Sequence, residues 1–595
     1  MSRVALQLLF LVAAQAALAD ERPNIIVFYT DDHGYADLSC QGVFDDISTP
    51  NVDALARDGV RAIHGYSTAP QCVPSRAGLL VGKFQSRFGV EANRMPLDGF
   101  DRELTIAERL RAAGYVTGQF GKWHLGPGPQ ITRHGFRYVY NQSGQKAFAA
   151  NITTDGTDRP MGRIEPDMYH VDGCSHAASA IITRHKDDPF FLYIAYRAPH
   201  VPLDAPRSYL DRFPGEMPER RRQALAMLSA VDDGVGLMMK TLARHGLTEK
   251  TLIFYIGDNG APLKIHKRDT PGGGPGWDGS LNDPLNGEKG MLAEGGMHVP
   301  FVVSWPGTIP GGQQYPHPIS ALDVAATASA VAGLETKPGA LDGVNLVPFL
   351  SGQNAEPPHE SLMWRWVSQS AIREGNWKLL RGGSREYLYD LQSDLEERSN
   401  VAEKYPDVAD RLRKKLTAWS QELSPPGLAI ARQSEVWNDY FDFYLDGKKP
   451  KPRRTNAAPK KRARSAKPTG SWMVRNGTLT VSDNVTRVAA KGRKRPALIR
   501  NQMRLRGPVS IEMTVRSEMA HPIGLAWRTR QDKKFPRKNQ LSMPLKSSSE
   551  WQTLSAEIPG GATVVHVRFE WAGGDVEIQS LKLSPAKGKS ITLPD

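Results

Sequence analysis

Cys72 heads the stretch Cys72-Val73-Pro74-Ser75-Arg76, which leads into the apolar run Ala77-Gly78-Leu79-Leu80-Val81-Gly82. A helix N-terminus offers free backbone N–H groups and positive potential, a setting that suits an anionic ligand. Arg76, four residues on, adds a permanent cation whose fork fits a tetrahedral oxyanion. A nucleophile precursor and an anion clamp would thus share one turn; the plainer alternative is a buried structural cysteine beside a surface arginine. Asp31 and Asp32 end the apolar run Asn24 to Tyr29. Adjacent acids there are costly unless paired, so they read as a turn or helix cap, or as metal ligands beyond a strand end. Lys122 and His124 are two apart and share one face of an extended segment. His200 follows another apolar run, Phe190 to Tyr196. A lone Lys-x-His pair or a loop histidine is more often surface decoration than machinery.

The elements that must position these groups alternate between buried strands and capped helices. Asn24 to Tyr29, Phe190 to Tyr196 and Thr251 to Ile256 are continuous apolar runs of the kind that fill a parallel sheet. Thr49-Pro50 opens a helix that closes at Gly59, with Thr49 as its cap. Thr105-Ile106-Ala107-Glu108 is a capping box, and Gly114 ends that helix. Glu219 to His245 reads as a long helix with Asp232 and Asp233 on a solvated face. Later segments predict a strand at Val299 to Trp305, a helix near Leu322 to Ala332, strands at Trp377 to Leu380 and Tyr387 to Leu391, and a helix through Leu423.

Cys-Val-Pro-Ser-Arg at 72–76 resembles the signature of the cysteine-type sulfatases, with Val81 where a Thr usually stands. Gly121-Lys122-Trp123-His124-Leu125-Gly126, Pro199-His200-Val201-Pro202, Gly257-Asp258-Asn259-Gly260 and Lys289-Gly290 resemble further blocks of that family, in its order, over roughly Pro23 to Leu423. The resemblance implies an alkaline-phosphatase-like α/β fold: a large mixed sheet flanked by helices, then a small C-terminal α+β subdomain. It also implies that Cys72 is oxidised to formylglycine by a formylglycine-generating enzyme. Asp31, Asp32, Asp258, Asn259 and the modified Cys72 become the metal ligands. An all-oxygen set suits Ca²⁺ or Mg²⁺ rather than zinc, and the family points to Ca²⁺.

The same resemblance implies a division of labour. The metal polarises the formylglycine hydrate, and Asp258 takes its proton as one hydroxyl attacks sulfur. Arg76, Lys122 and Lys289 hold the sulfate oxygens. His200, with Lys289, protonates the leaving alcohol, and His124 deprotonates the remaining hydroxyl so that sulfate is expelled. Two alternatives stand beside this one: a phosphodiester or phosphonate hydrolase of the same superfamily, and a polysaccharide-binding protein with an inert catalytic domain.

The 595 residues are too many for one domain, and 40% hydrophobic with 23% charged residues is a globular composition. Arg3, the apolar run to Ala17 and Ala17-Leu18-Ala19 form a signal peptide with cleavage after Ala19, so the expected location is secreted or periplasmic. No later run spans a bilayer, so stable membrane insertion is not expected. Three cysteines, Cys40, Cys72 and Cys174, make no disulfide framework, and whether Cys40 pairs with Cys174 stays open. The expected divisions are a signal at 1–19, a catalytic domain at 20–350, its subdomain at 351–446, a linker at 447–470 and a module at 471–595. The net charge of +13 owes much to that linker, which holds ten Lys and Arg and no acid. With an export signal, such a run favours sulfated polyanions over nucleic acid. From Ser471, short alternating runs (Ile511 to Val515, Ile523 to Trp527, Val564 to Trp571, Val576 to Leu583) predict a β-sandwich, in which Trp472, Trp527, Trp551 and Trp571 could stack on sugar rings but such tryptophans are more often core.

Overall fold

The computed structural model describes residues 22–424, 430–448 and 472–593, apart from 94, 264–276, 278, 483–484, 491–494, 519, 533 and 537. The signal segment 1–19, most of the linker 447–470 and the loop cations Lys264, His266, Lys267 and Arg268 lie outside the described residues. The chain divides into two compact units, 1–453 and 454–595.

The first unit is built on a ten-stranded mixed sheet. At its centre Asn24–Thr30 pairs in parallel with Thr251–Gly257 on one side and Phe190–Ala195 on the other. Val116–Gly121 runs parallel to Phe190–Ala195. Phe301–Ser304 then pairs antiparallel to Thr251–Gly257. Every residue of the four central strands is buried, because helices cover both faces. Ile26 and Phe28 face one core, with Ile181, Leu228 and Val235 from the helices His170–Arg184 and Glu219–Arg244. Ile25, Val27 and Tyr29 alternate onto the other, with Leu79, Leu110 and Val324 from the helices Cys72–Val81, Ile106–Ala112 and Asp323–Val331. The period of two along the strand decides which residues meet which layer.

The capping box forms: Thr105 Oγ1 accepts from the Glu108 N–H, and the Glu108 carboxylate accepts from the Thr105 N–H. Two expectations need correction. Asp232 does not face solvent; it is 2% exposed, and its carboxylate accepts the N–H groups of Asn51 and Val52 at 2.9–3.2 Å. It therefore caps the helix Pro50–Arg57 from another helix. Thr49, expected to be that cap, makes no capping bond and instead bonds Asp53 and Ser39.

A four-stranded antiparallel sheet, Leu362–Trp366, Gln369–Glu374, Trp377–Gly382 and Arg385–Asp390, follows. One face packs Ile372, Leu379 and Leu388 on the helix Pro406–Gln421. The other packs Trp364, Leu380 and Tyr389 on Met291, Leu292 and Met297, and on Phe441 and Tyr444 of a further helix, Ile430–Tyr444. That last helix has no counterpart in the sequence reading.

In the second unit the 21-residue strand Ala497–Ser517 serves two sheets. Its first half pairs with Val564–Glu570, and its second half with Ser548–Ile558 and Val576–Lys587. Leu498, Met513, Leu525, Phe569 and Leu581 fill the space between. The two sheets share this central strand, so the module is sandwich-like and continuous through it.

Candidate active site

Four parallel strands end side by side, and each hands a polar pair to the same place. Thr30 is in register with Gly257, and Gly121 with Ala195. Asp31 and Asp32 leave the first strand, Asp258 and Asn259 the second, Lys122 and His124 the third. The fourth leads through Arg197 to His200. The convergence follows from Thr30, Gly257, Gly121 and Ala195 sharing one edge of one parallel sheet, where ligands bind in open α/β folds. The helix Cys72–Val81 completes the set, tied to the first strand by a 2.7 Å bond between Ser75 and Tyr29 hydroxyls.

Cys72 and Arg76 are both completely buried. Arg76 donates to Asp258 Oδ2 at 2.8 Å, to the Lys122 carbonyl at 3.1 Å and to the Tyr193 hydroxyl at 3.3 Å. Lys289 Nζ lies 2.5 Å from Asp32 Oδ1 and 3.2 Å from Cys72 Sγ. Lys122 is paired with Asp31. The Asp32 N–H donates to Asp258 Oδ1 at 3.0 Å, and Asn259 Nδ2 donates to Asp32 Oδ1 at 2.7 Å. His200 Nε2 is 3.5 Å from Asp32 Oδ2. Ligand atoms of Asp31, Asp32, Cys72 and His200 all lie within 4.8 Å of one another. His124 takes a positive φ of 63° and its ring is exposed at the rim.

Three carboxylates, two lysines and an arginine at this density set the protonation states. Burial opposes ionisation of Asp31, but Lys122, His200, Arg76 and Lys289 overcome it and hold its carboxyl well below the usual range. Burial and the Asp31 charge push Asp258 up instead. Burial and Asp31 raise the Cys72 thiol to about 12. A thiol held there stays protonated at neutral pH, and the thiolate is the reactive form. As an unmodified cysteine, residue 72 is therefore a poor nucleophile despite its place. Burial lowers His200, with Asp31 and Asp32 opposing. Its Nδ1 lies 2.6 Å from the Val201 carbonyl, which can only accept, so Nδ1 carries a proton and Nε2 is the exchangeable position. Although His124 is exposed, partial desolvation beside the buried charges, and then Lys122, lower it.

The donor set fits a hard divalent cation. Among the described residues, Asp31 Oδ1, Asp32 Oδ2 and Asn259 Oδ1 are buried oxygens that accept no hydrogen bond. Buried acceptors are rarely left so, and oxygens of carboxylate and amide type are what Ca²⁺ and Mg²⁺ take.

Comparison with known proteins decides the lineage. The sulfatase family matches residues 23–334. This chain belongs to the sulfatase family. A second match, to the N-sulphoglucosamine sulphohydrolase C-terminal family, covers residues 287–422. Human arylsulfatase A is 32% identical over 391 residues, 60% of this chain and 73% of the relative. An N-acetylgalactosamine-6-O-sulfatase of Bacteroides thetaiotaomicron is 27% identical, covering 66% and 92%. The crystal structure of Ps i-CgsB in complex with k-i-k-neocarrahexaose superposes with a TM-score of 0.60 at 29% identity, covering 71% of this chain and 99% of that one. The protein is thus a sulfuric ester hydrolase with the alkaline-phosphatase-like architecture.

The sulfatase site also depends on residues with no motif. Arg197, 5% exposed, donates to the carbonyls of His200 and Pro202, each at 2.7 Å, and is anchored by Asp204 at 2.7 Å and His170 at 2.9 Å. It fixes the backbone that presents His200. The Lys289 segment is held by the small C-terminal sheet: Gln369 donates to the Gly290 carbonyl at 2.8 Å and accepts from the Leu292 N–H at 3.0 Å. Beyond it, Lys378 bridges Glu294 at 2.6 Å and Glu397 at 2.9 Å, all completely buried. Only the Pro-His-x-Pro neighbourhood of Arg197 carried a sequence signal; Gln369 and Lys378 carried none. Cys40 and Cys174 are both free thiols, so the open question of their pairing is answered in the negative for this structure.

Proposed function

We propose that this sulfatase is an exported enzyme that removes sulfate from a sulfated carbohydrate, with formylglycine made from Cys72 as its nucleophile and Ca²⁺ as its metal. The observation that carries the reading is the setting of Cys72: a buried, protonated thiol 3.2 Å from Lys289, beside Asp32 and one turn before Arg76. That is an unsuitable thiolate site and a suitable anion site. Once oxidised to the aldehyde and hydrated by water, residue 72 supplies the attacking hydroxyl. Asp31, Asp32, Asp258 and Asn259 would hold the cation, which lends Lewis acidity to that hydroxyl and to the sulfate.

The chain's own residues then divide the work. Arg76, Lys122 and Lys289 bind the sulfate oxygens and stabilise the charge that grows as the ester bond breaks. Asp258, the carboxyl pushed up by burial, receives the proton of the attacking hydroxyl. His200, its Nδ1–H held by the Val201 carbonyl, takes up a proton at Nε2, where the Asp31 and Asp32 charges favour the imidazolium, and passes that proton to the departing alcohol. His124, at the rim, takes the proton whose removal expels sulfate. Two relatives named for, or crystallised with, carbohydrate ligands support the substrate class. The segment 1–19 supports export.

The test is peptide mass spectrometry of residue 72 alongside turnover of 4-nitrophenyl sulfate and a phosphodiester. Formylglycine is expected in active protein, with sulfate ester turnover in excess. Full activity with unmodified cysteine, or preferred phosphodiester turnover, would overturn the reading.

A further inference from the structure

The tryptophans that the sequence offers as sugar platforms do not make one. Trp527 and Trp571 are 6% and 3% exposed and belong to the module's core. Trp472 packs on Phe569 and lies under Arg500, and Trp551 lies under Arg516. The module has a different feature: a cleft of about 300 Å³ on the sheet formed by Gln540–Met543, Ile523–Thr529 and Val564–Glu570.

Strand register explains the cleft. Ala526 sits between Gln540 on one neighbouring strand and Arg568 on the other, and Gly524 between Ser542 and Glu570. Two of the smallest side chains therefore lie in the middle of two cross-strand rows whose ends are long or polar. The result is a trough with a flat floor and polar walls. Arg495, exposed, lines the same cleft and has no ion pair recorded with the described residues. Arg568 is paired with Glu570 at 3.3 Å.

These groups match one kind of ligand. Gln540, Ser542 and Glu570 can exchange hydrogen bonds with ring hydroxyls, the carboxylate acting as acceptor. The shallow apolar floor suits the C–H face of a pyranose. Arg495 can present its guanidinium fork to a tetrahedral anion, with the Glu570-paired Arg568 beside it. The volume is at the small end of ligand sites, enough for one substituted sugar and not for a folded partner. We propose that this trough binds one sulfated sugar unit of a polysaccharide chain, holding polymer on the enzyme independently of catalysis. The proposal deepens the sulfated-carbohydrate reading and rests on it for the substrate class. A second weak contact of this kind raises the effective concentration of sulfate esters without touching the chemistry.

The test uses full-length protein carrying Cys72→Ala, so that polymer is not consumed. Affinity electrophoresis is run in gels containing chondroitin 6-sulfate, ι-carrageenan or either polymer desulfated. One sulfated polymer should retard the protein and its desulfated form should not. Arg495→Ala with Gln540→Ala should weaken retardation at least about fivefold, as loss of a central contact does. Ala526→Phe, which fills the floor, should do the same; the exposed double variant keeps the test valid if Ala526→Phe misfolds. The same substitutions in otherwise native enzyme should leave 4-nitrophenyl sulfate turnover unchanged. Undiminished retardation in the double variant would assign polymer binding to the basic linker and overturn the proposal. So would equal retardation by desulfated polymer, or none by either sulfated one. Loss of aryl sulfate turnover by native enzyme is a separate outcome, and it would count against the sulfatase mechanism instead.

Discussion

At the scale of residues, the site is a balance of buried charges in which each partner limits what the others can do. Arg197 illustrates an indirect role. It touches no sulfate-binding group; it holds the His200 and Pro202 carbonyls. If His200 donates the proton to the leaving alcohol, Arg197→Met should slow poor leaving groups more than good ones. We expect kcat for an alkyl or sugar sulfate to fall about tenfold or more, and that for 4-nitrophenyl sulfate by less than about threefold, since general-acid help is worth most to a basic leaving group. Equal losses on both substrates would mean that Arg197 only supports the fold. The orphaned oxygens of Asp31, Asp32 and Asn259 give a second prediction. A cation that binds them in the folded state alone adds stability by mass action. Chelation with EGTA should lower Tm as well as turnover, and added Ca²⁺ should restore both; an unchanged Tm would argue against an ion at this site.

Elements are tied together by bonds that cross long stretches of chain. Asp232 caps a helix that begins at residue 50. Asp232→Ala should cost about 1–3 kcal/mol, because the buried Val52 N–H and the half-buried Asn51 N–H lose their acceptor. A drop in denaturation midpoint with unchanged turnover of the folded fraction is the expected result. The contacts of Gln369 and the Lys378 bridge explain why the small C-terminal sheet belongs to the catalytic unit rather than to an appendage. Lys289 would otherwise sit on a turn with little to hold it. His64, beside that bridge, is lowered to about 3, chiefly by burial and then by Arg373. A histidine depressed in the folded state is neutral there, while the unfolded chain takes up a proton below about pH 6.5. Its contribution is therefore present above pH 6.5 and lost as pH falls toward 3. Stability should decline over that window by at most about 1.4 kcal/mol per pH unit for this one site. In His64→Gln the decline should be shallower, as read by urea midpoints from pH 7 to 4.5.

For the whole molecule, the division at 453/454 separates a catalytic unit from a sheet-rich one. Lys448 still belongs to the first, since its ammonium meets Asp442 and Asp446 at 3.1 and 2.9 Å. Truncation after Lys448 should leave aryl sulfate turnover intact and weaken action on sulfated polymer, most at low salt, where attraction between charges is least screened. Loss of aryl sulfate turnover in a folded truncated protein would show that the second unit completes the active site.

What the sequence determined by itself was whatever chain adjacency enforces. An apolar run makes a buried strand, the residues after it must lie at that strand's end, and parallel strands must end together. Adjacency made the α/β class legible and put Asp31, His200 and Asp258 at strand ends, but it was the resemblance of the motifs around Asp31, Lys122, His200 and Asp258, scattered over more than two hundred residues, that marked them as one set. Tertiary structure decided what depends on a partner distant in sequence. Asp232 looked like a solvated acid because nothing near it in the chain shows that the N-terminus of another helix arrives there. For the module's tryptophans the sequence left two readings, core and sugar platform, because side-chain type does not reveal which face of a strand is covered. The trough at Gly524 and Ala526 was invisible for the same reason: a small residue creates a cavity only when register puts long side chains on both sides of it.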